Sequence, residues 1–106
     1  MTDAKAEEGG TGELPPGAAV DALDEGMLAF ISGDDAAAVA AFTRALEASP
    51  AYDDALYMLG MARARLGDTT GAVDALSAAW HASDNVMLRD YAARKLEALG
   101  EPTPTP

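Results

Sequence analysis

The chain spells nearly the same phrase twice at an interval of 34 residues. When residues 19–52 are laid over residues 53–86 without a gap, ten positions are identical, far more than chance gives. Such a period predicts two copies of one structural unit that stack and bury a shared core. The identical pairs include Gly26 with Gly60, Gly33 with Gly67, Asp34 with Asp68, Ala38 with Ala72 and Ala45 with Ala79.

Each copy is expected to form two helices, because its apolar residues recur three or four apart. In the first copy a helix follows Gly17 and ends at Gly33. A second helix begins at a cap offered by Asp34 or Asp35 and ends before Pro50. No stretch of the sequence alternates apolar and polar residues as a half-buried strand would. The chain is therefore predicted to be all-α.

The second copy is expected to follow the same plan and to lead into one further helix. Its first helix starts near Asp53 and Asp54, since carboxylates suit a helix N-terminus. The next is capped by Asp68 or Thr69. A fifth helix opens at Asp84, and a glycine and a proline close it near residue 100.

The two ends of the chain are predicted to lie outside this helical domain of residues 17–100. Residues 1–16 hold Gly, Glu, Thr and Pro with almost no large apolar side chain, so a disordered acidic tail is expected. Residues 101–106 alternate Pro with Thr, which favours an extended tail.

Charge and composition narrow the classes of partner. The formal net charge is −11, with 18 acidic against 7 basic residues, so the surface repels phosphate backbones and anionic lipid. Neither nucleic acid nor a membrane is expected as a partner. The absence of cysteine excludes disulfides and thiolate metal sites. The sequence does not open with a basic segment followed by an apolar run, which predicts a cytoplasmic protein. The arginine and alanine usage of the chain is typical of proteins from high-GC bacteria.

A helix–turn–helix unit of 34 residues resembles the tetratricopeptide repeat. The resemblance implies an α-solenoid fragment of two antiparallel helix pairs, 19–52 and 53–86, with a capping helix at 86–99. The first copy departs from the family with Ala22 and Glu25 where large apolar residues are usual, and the second with Asp84 in place of proline. The matching residues are Gly26, Ala38, Phe42, Ala45 and Pro50, then Leu56, Leu59, Gly60, Ala72, Leu76 and Ala79.

The family resemblance implies a non-enzymatic adaptor or chaperone that binds a polypeptide segment along the first helix of each pair. An amphipathic helix or an extended segment with apolar anchors is expected, with an acidic group meeting Arg65 or Lys95. Three alternatives stay open: the stripe is core, the N-terminal tail covers it, or a second copy does so in a homo-oligomer. The implied lining residues are Val20, Leu23, Met27, Phe30, Tyr57, Met61, Ala64, Arg65, Leu88, Tyr91 and Lys95.

One known activity of the family does not fit these residues. Members that grip acidic C-termini of heat-shock chaperones use a clamp of basic and amide side chains. At the equivalent positions this chain has Leu23, Met27, Met61, Tyr91 and Lys95, so one residue of five is suitable. A carboxylate clamp is not expected.

No residue pattern indicates catalysis, a metal or a cofactor. The single histidine, His81, is expected to be an exposed surface residue, because metal sites need three or four ligands. The acid pairs at 34–35 and 53–54 are explained as helix caps. Trp80 is expected in the core against the fifth helix, and the solvent face of that helix is assigned Arg89, Asp90, Arg94 and Glu97.

Overall fold

The computed structural model describes residues 17–102 and 104, and the expectation of a disordered tail over residues 1–16 lies outside that range. None of the described residues is in a strand, which confirms the all-α prediction. Residues 101, 102 and 104 have no regular secondary structure. The helices are α1 (Ala18–Ile31), α2 (Asp35–Ala48), α3 (Asp53–Arg65), α4 (Thr69–Ala82) and α5 (Val86–Ala98).

A turn built on Gly33 and Asp34 joins α1 to α2. Gly33 has φ +85°, a left-handed conformation that favours glycine. Its N–H donates to Phe30 O at 3.1 Å and that of Asp34 to Ala29 O at 2.9 Å, which satisfies the last carbonyls of α1. The Asp34 carboxylate accepts from Ala37 N at 3.1 Å and so caps α2. One residue thus helps to end a helix and to start the next.

The turn between α3 and α4 repeats this arrangement. Asp68 N donates to Arg63 O at 2.9 Å and Gly67 N to Ala64 O at 3.0 Å. The carboxylate of Asp68 accepts from Gly71 N at 3.0 Å. Asp34 and Asp68 are therefore the caps, and the alternatives Asp35 and Thr69 are the first helical residues.

The cap of α5 differs from the prediction that this helix opens at Asp84, whereas its first residue agrees with the implied range 86–99. The helix begins at Val86, and the Asn85 side chain accepts from Met87 N at 2.9 Å and from Leu88 N at 3.3 Å. Ser83 Oγ accepts from Asn85 N at 3.0 Å, which holds the chain just before the helix. Asparagine caps as well as aspartate, so the sequence alone did not separate neighbouring candidates.

Within each pair the helices touch at a glycine. A Cβ atom built on Gly26 would lie 2.5 Å from Phe42 Cε1, and one on Gly60 would lie 2.6 Å from Leu76 Cγ. Both separations are shorter than real Cβ contacts, so the large side chain occupies the space that only glycine leaves free. Phe42 and Leu76 are fully buried as a result.

The buried side chains also join one pair to the next. Phe42 of α2 shares an apolar cluster with Leu59 and Ala62 of α3 and Ala75 of α4. Leu76 shares another with Ala92 and Leu96 of α5. The core therefore continues from the first pair to the fifth helix, as a stacked array requires.

Trp80 packs against α5, as predicted, but one residue assigned to the solvent face of that helix is misplaced. The Arg89 guanidinium carbon lies 4.0 Å from the centroid of the Trp80 ring, and Arg89 is half-buried. Stacking on the indole draws the guanidinium inward. Arg94 and Asp90 remain exposed and pair with each other at 2.8 Å.

The five helices form two layers of unequal spacing. Cα atoms of α1 and α3 approach within 8 Å, as do those of α3 and α5, whereas no Cα atom of α2 comes this close to α4. The first helices of the pairs therefore form the tighter, inner layer of a curved array. This packing is that of an α-solenoid fragment with two antiparallel pairs and a capping helix.

We expect Gly60→Ala to lower the free energy of unfolding by about 1–3 kcal/mol, the usual cost of overpacking. At an exposed helix position alanine is more stabilising than glycine by about 1 kcal/mol. A lower free energy of unfolding for Gly60→Ala would therefore be due to the clash with Leu76. Denaturant unfolding followed by circular dichroism and by the fluorescence of Trp80, the single tryptophan, measures it.

The matched control introduces Gly60→Ala into Leu76→Ala. The atoms nearest the new methyl, Cγ and Cδ2 of Leu76, are then absent, so the cost should largely disappear. An equal cost in both backgrounds would contradict the proposed origin.

Candidate functional site

A cavity of about 320 Å³ opens between α1 and α3 on the inner layer. It brings together three residues predicted to line a groove, Leu23, Met27 and Tyr57. Each of the three is partly exposed, so the cavity is open at the surface and the stripe is not wholly core. The complete lining is Leu23, Asp24, Met27, Asp54, Tyr57 and Met58.

The same surface continues from α3 to α5 through two tyrosines. The ring centroids of Tyr57 and Tyr91 are 6.5 Å apart, within the range of interacting aromatic rings. Tyr91 is exposed, and Met61 and Lys95 are partly exposed. Val20, near the start of α1, is also exposed. These predicted residues retain surface for contact.

Arg65, expected to meet an acidic group of a partner, is engaged within the chain. Its Nη2 donates to Phe30 O at 2.6 Å, its Nε donates to the Asp35 carboxylate at 2.8 Å, and the two side chains form an ion pair. The guanidinium carbon also lies 3.5 Å from the Phe30 ring centroid. Phe30 and Arg65 therefore make a clasp between the two pairs, and an acidic group of a partner would have to compete with Asp35 for Arg65.

Leu88, also predicted as a lining residue, is buried. Only 8% of it is exposed, so it offers almost no surface to a partner. The first turn of α5 exposes Val86 and Met87 instead. The repeat pattern predicted correctly that α5 follows the second pair. It did not predict which side of α5 faces solvent.

Sequence reasoning missed three lining residues, Asp24, Asp54 and Met58. Asp24 and Met58 occupy the same position of the two copies, next to the predicted pair Leu23 and Tyr57. The spacing of Val20, Asp24 and Met27 places them on one stripe of α1. This spacing could have predicted that Asp24 lines the cavity, but an acidic residue is not expected in an apolar wall.

The acid pairs have more than the capping roles predicted for them. Asp34 caps α2, and the Asp53 carboxylate accepts from the N–H of Asp54 at 2.9 Å. Asp35 instead pairs with Arg65, and Asp54 lines the cavity. Their position in the first turn of a helix therefore does not alone explain the second member of each pair.

Two tyrosines report the environment of this surface. Burial raises the pKa of the Tyr52 hydroxyl above 10.0, and the negative charges of Asp54, Asp24 and Asp53 raise it further. Burial, followed by the neighbouring Tyr91, raises the pKa of Tyr57 above 10.0. Asp24 and Asp54, two of the carboxylates that act on the Tyr52 hydroxyl, also line the cavity, so this part of the surface carries negative charge.

His81, the single histidine, is not among the residues that line the cavity. His81 is exposed on α4, with Nδ1 2.8 Å from Ser77 O and its ring edge against Trp80. Within residues 17–102 and 104, no group of three or more His, Cys, Asp or Glu side chains could hold a metal ion. Among the helices of that range none has the length and apolar character needed to cross a bilayer.

The stacked antiparallel pairs define the chain as a helical-repeat protein. Residues 54–81, which cover most of α3 and α4, match the family model of the tetratricopeptide repeat. This match supports one such repeat over residues 54–81, and the five helices fit an arrangement like that of the family. Repeats of this kind are protein–protein interaction modules and are typically non-catalytic. No curated protein and no solved structure matches the chain significantly.

The raised tyrosine pKa values predict a loss of stability at alkaline pH. Each folded hydroxyl binds its proton more tightly than the unfolded one, so the stability is fully present below pH 10.0 and falls as the pH rises through the folded pKa. We expect unfolding free energies of Tyr52→Phe and Tyr57→Phe to fall less steeply with pH than that of the wild type.

Salt separates the two causes. The phenolate absorbance of the wild type minus that of each variant gives the titration of the tyrosine that the variant lacks. Added salt should lower the pKa of Tyr52, because salt screens the three aspartates, and should change the pKa of Tyr57 less. Titration of both residues at their ordinary value would contradict this description of the surface.

Proposed function

We propose that the protein is a non-enzymatic adaptor or chaperone that binds an apolar or amphipathic polypeptide segment along its inner layer. The supporting observation is the open cavity between α1 and α3, where Leu23, Met27 and Tyr57 meet. Apolar side chains that remain accessible at a concave surface favour association with another chain. The surface includes Val20, Met61 and Tyr91 beside the cavity.

Methionines suit such a surface. Met27 of α1 and Met58 of α3 both line the cavity, and Met61 lies one turn further along α3. An unbranched thioether adapts its shape to varied partners at little energetic cost. The proposal therefore does not require a single complementary sequence.

Self-association is the second candidate. The exposed apolar residues Val86 and Met87 at the start of α5, with Leu28 and Ile31 at the end of α1, favour it. A homo-oligomer would cover such residues by end-to-end or face-to-face stacking of repeats. Sedimentation over a concentration series separates the candidates, because a monomer at high concentration would exclude the second.

The test of groove binding uses the five methionines as probes. Peptides are selected from a displayed random library, and each selected peptide is titrated into protein carrying ¹³C-labelled methionine methyl groups. We expect the resonances of Met27 and Met58 to shift, whereas Met87, 62% exposed on α5, should not change. Peptides that shift only Met87, or none of these methyls, would count against the groove.

A matched pair of variants controls for non-specific effects. Met27→Glu places a charge in the cavity and should reduce the affinity at least about tenfold, the effect of losing about 1.4 kcal/mol of contact. Ala40→Glu adds the same charge at an exposed position of α2, away from the cavity, and should leave the affinity unchanged.

A further inference from the structure

We propose that the cavity between α1 and α3 selects a basic polypeptide segment, which inserts an apolar side chain between Leu23, Met27 and Tyr57 and places a neighbouring Lys or Arg against Asp24 and Asp54. This inference rests on the proposed function and names the chemistry of its partner. It reverses the expectation that an acidic group of the partner meets Arg65.

The size of the cavity favours a side chain over a small-molecule ligand. Its 320 Å³ lies at the lower end of ligand pockets, which span about 300–1,000 Å³. Four of its six lining residues are Leu23, Met27, Tyr57 and Met58, which provide an apolar wall. An apolar side chain of a peptide would pack against such a wall.

The charge of the lining decides what flanks the anchor. The two charged residues that line the cavity are Asp24 of α1 and Asp54 of α3, one from each wall, and both are exposed. The ion pairs Arg44–Glu25, Arg65–Asp35 and Arg94–Asp90 involve neither of these carboxylates. A partner cation would therefore meet two carboxylates without displacing an internal ion pair.

The raised pKa of Tyr52 is a second sign of the negative charge of Asp24 and Asp54. Asp54 and Asp24 are, after burial, the largest causes of that shift. The two carboxylates thus act together on a group beside the cavity, and they would act in the same way on a bound ammonium or guanidinium.

Other occupants match this charge less well. Residues 1–16 carry four acidic residues and one lysine, and residues 101–106 carry one acidic residue and no basic one. A second copy would bring a chain of net charge −11, and a symmetric dimer through the cavity would also bring a second Asp24 and Asp54 to the same place. Like charges at an interface are unfavourable, so a separate basic segment fits best.

The experiment compares two double variants of the full chain with equal net charge. Asp24→Asn with Asp54→Asn removes the cavity carboxylates, and Asp74→Asn with Asp84→Asn removes two exposed carboxylates elsewhere. Peptides from the displayed random library are titrated into both variants and into the wild type. We expect selected peptides to carry Lys or Arg beside a large apolar residue.

For these peptides, loss of the cavity carboxylates should weaken binding about two- to tenfold, the effect of two partly exposed ion pairs, and added salt should reduce the difference. The control variant should bind nearly as the wild type does. Equal weakening by both variants would mean attraction by net charge alone and would overturn the inference.

The outcomes also separate this inference from the function on which it rests. Selected peptides that are neutral or acidic yet shift Met27 and Met58 would overturn the basic preference and leave groove binding supported. If no selected peptide shifts these methyls, the groove itself fails. Competition by a second copy would appear as concentration-dependent self-association with the same methyl shifts, which would assign the cavity to a homo-oligomer.

Discussion

The contact between a glycine and a large side chain inside each pair determines the rest of the structure. Phe42 and Leu76 occupy the space where Gly26 and Gly60 have no Cβ atom, so each large side chain packs directly against the backbone of the other helix of its pair. The same buried residues contact the following pair. Spacing within pairs and stacking between pairs are therefore set together, and the inner layer with its cavity follows.

The fold could be predicted because its signals are local and occur twice. Gly33 and Asp34 form their turn through hydrogen bonds to residues within five positions along the chain. Gly67 and Asp68 form the second turn by the same pattern. The repeat also carried Leu23, Met27 and Tyr57 to one surface, since equal positions on stacked units lie side by side.

The remaining features depend on partners that are distant in sequence. Arg65 contacts Asp35, 30 residues away, and this choice follows from the relative placement of two pairs. The inward position of Arg89 depends on the Trp80 ring of the preceding helix. Periodicity assigns a residue to a helix face, but it does not specify which charges meet there, so the acidic edge at Asp24 and Asp54 went unnoticed.

The clasp of Arg65 on Phe30 and Asp35 holds the two pairs together at the C-terminal ends of α1 and α3. The cavity lies nearer the other end of these helices, around Leu23 and Tyr57. If one pair tilts against the next, the clasp acts as the pivot and the cavity mouth takes the largest displacement. Under the proposed function, adjustment to bound segments of different bulk would then occur as a widening at this end of the two helices.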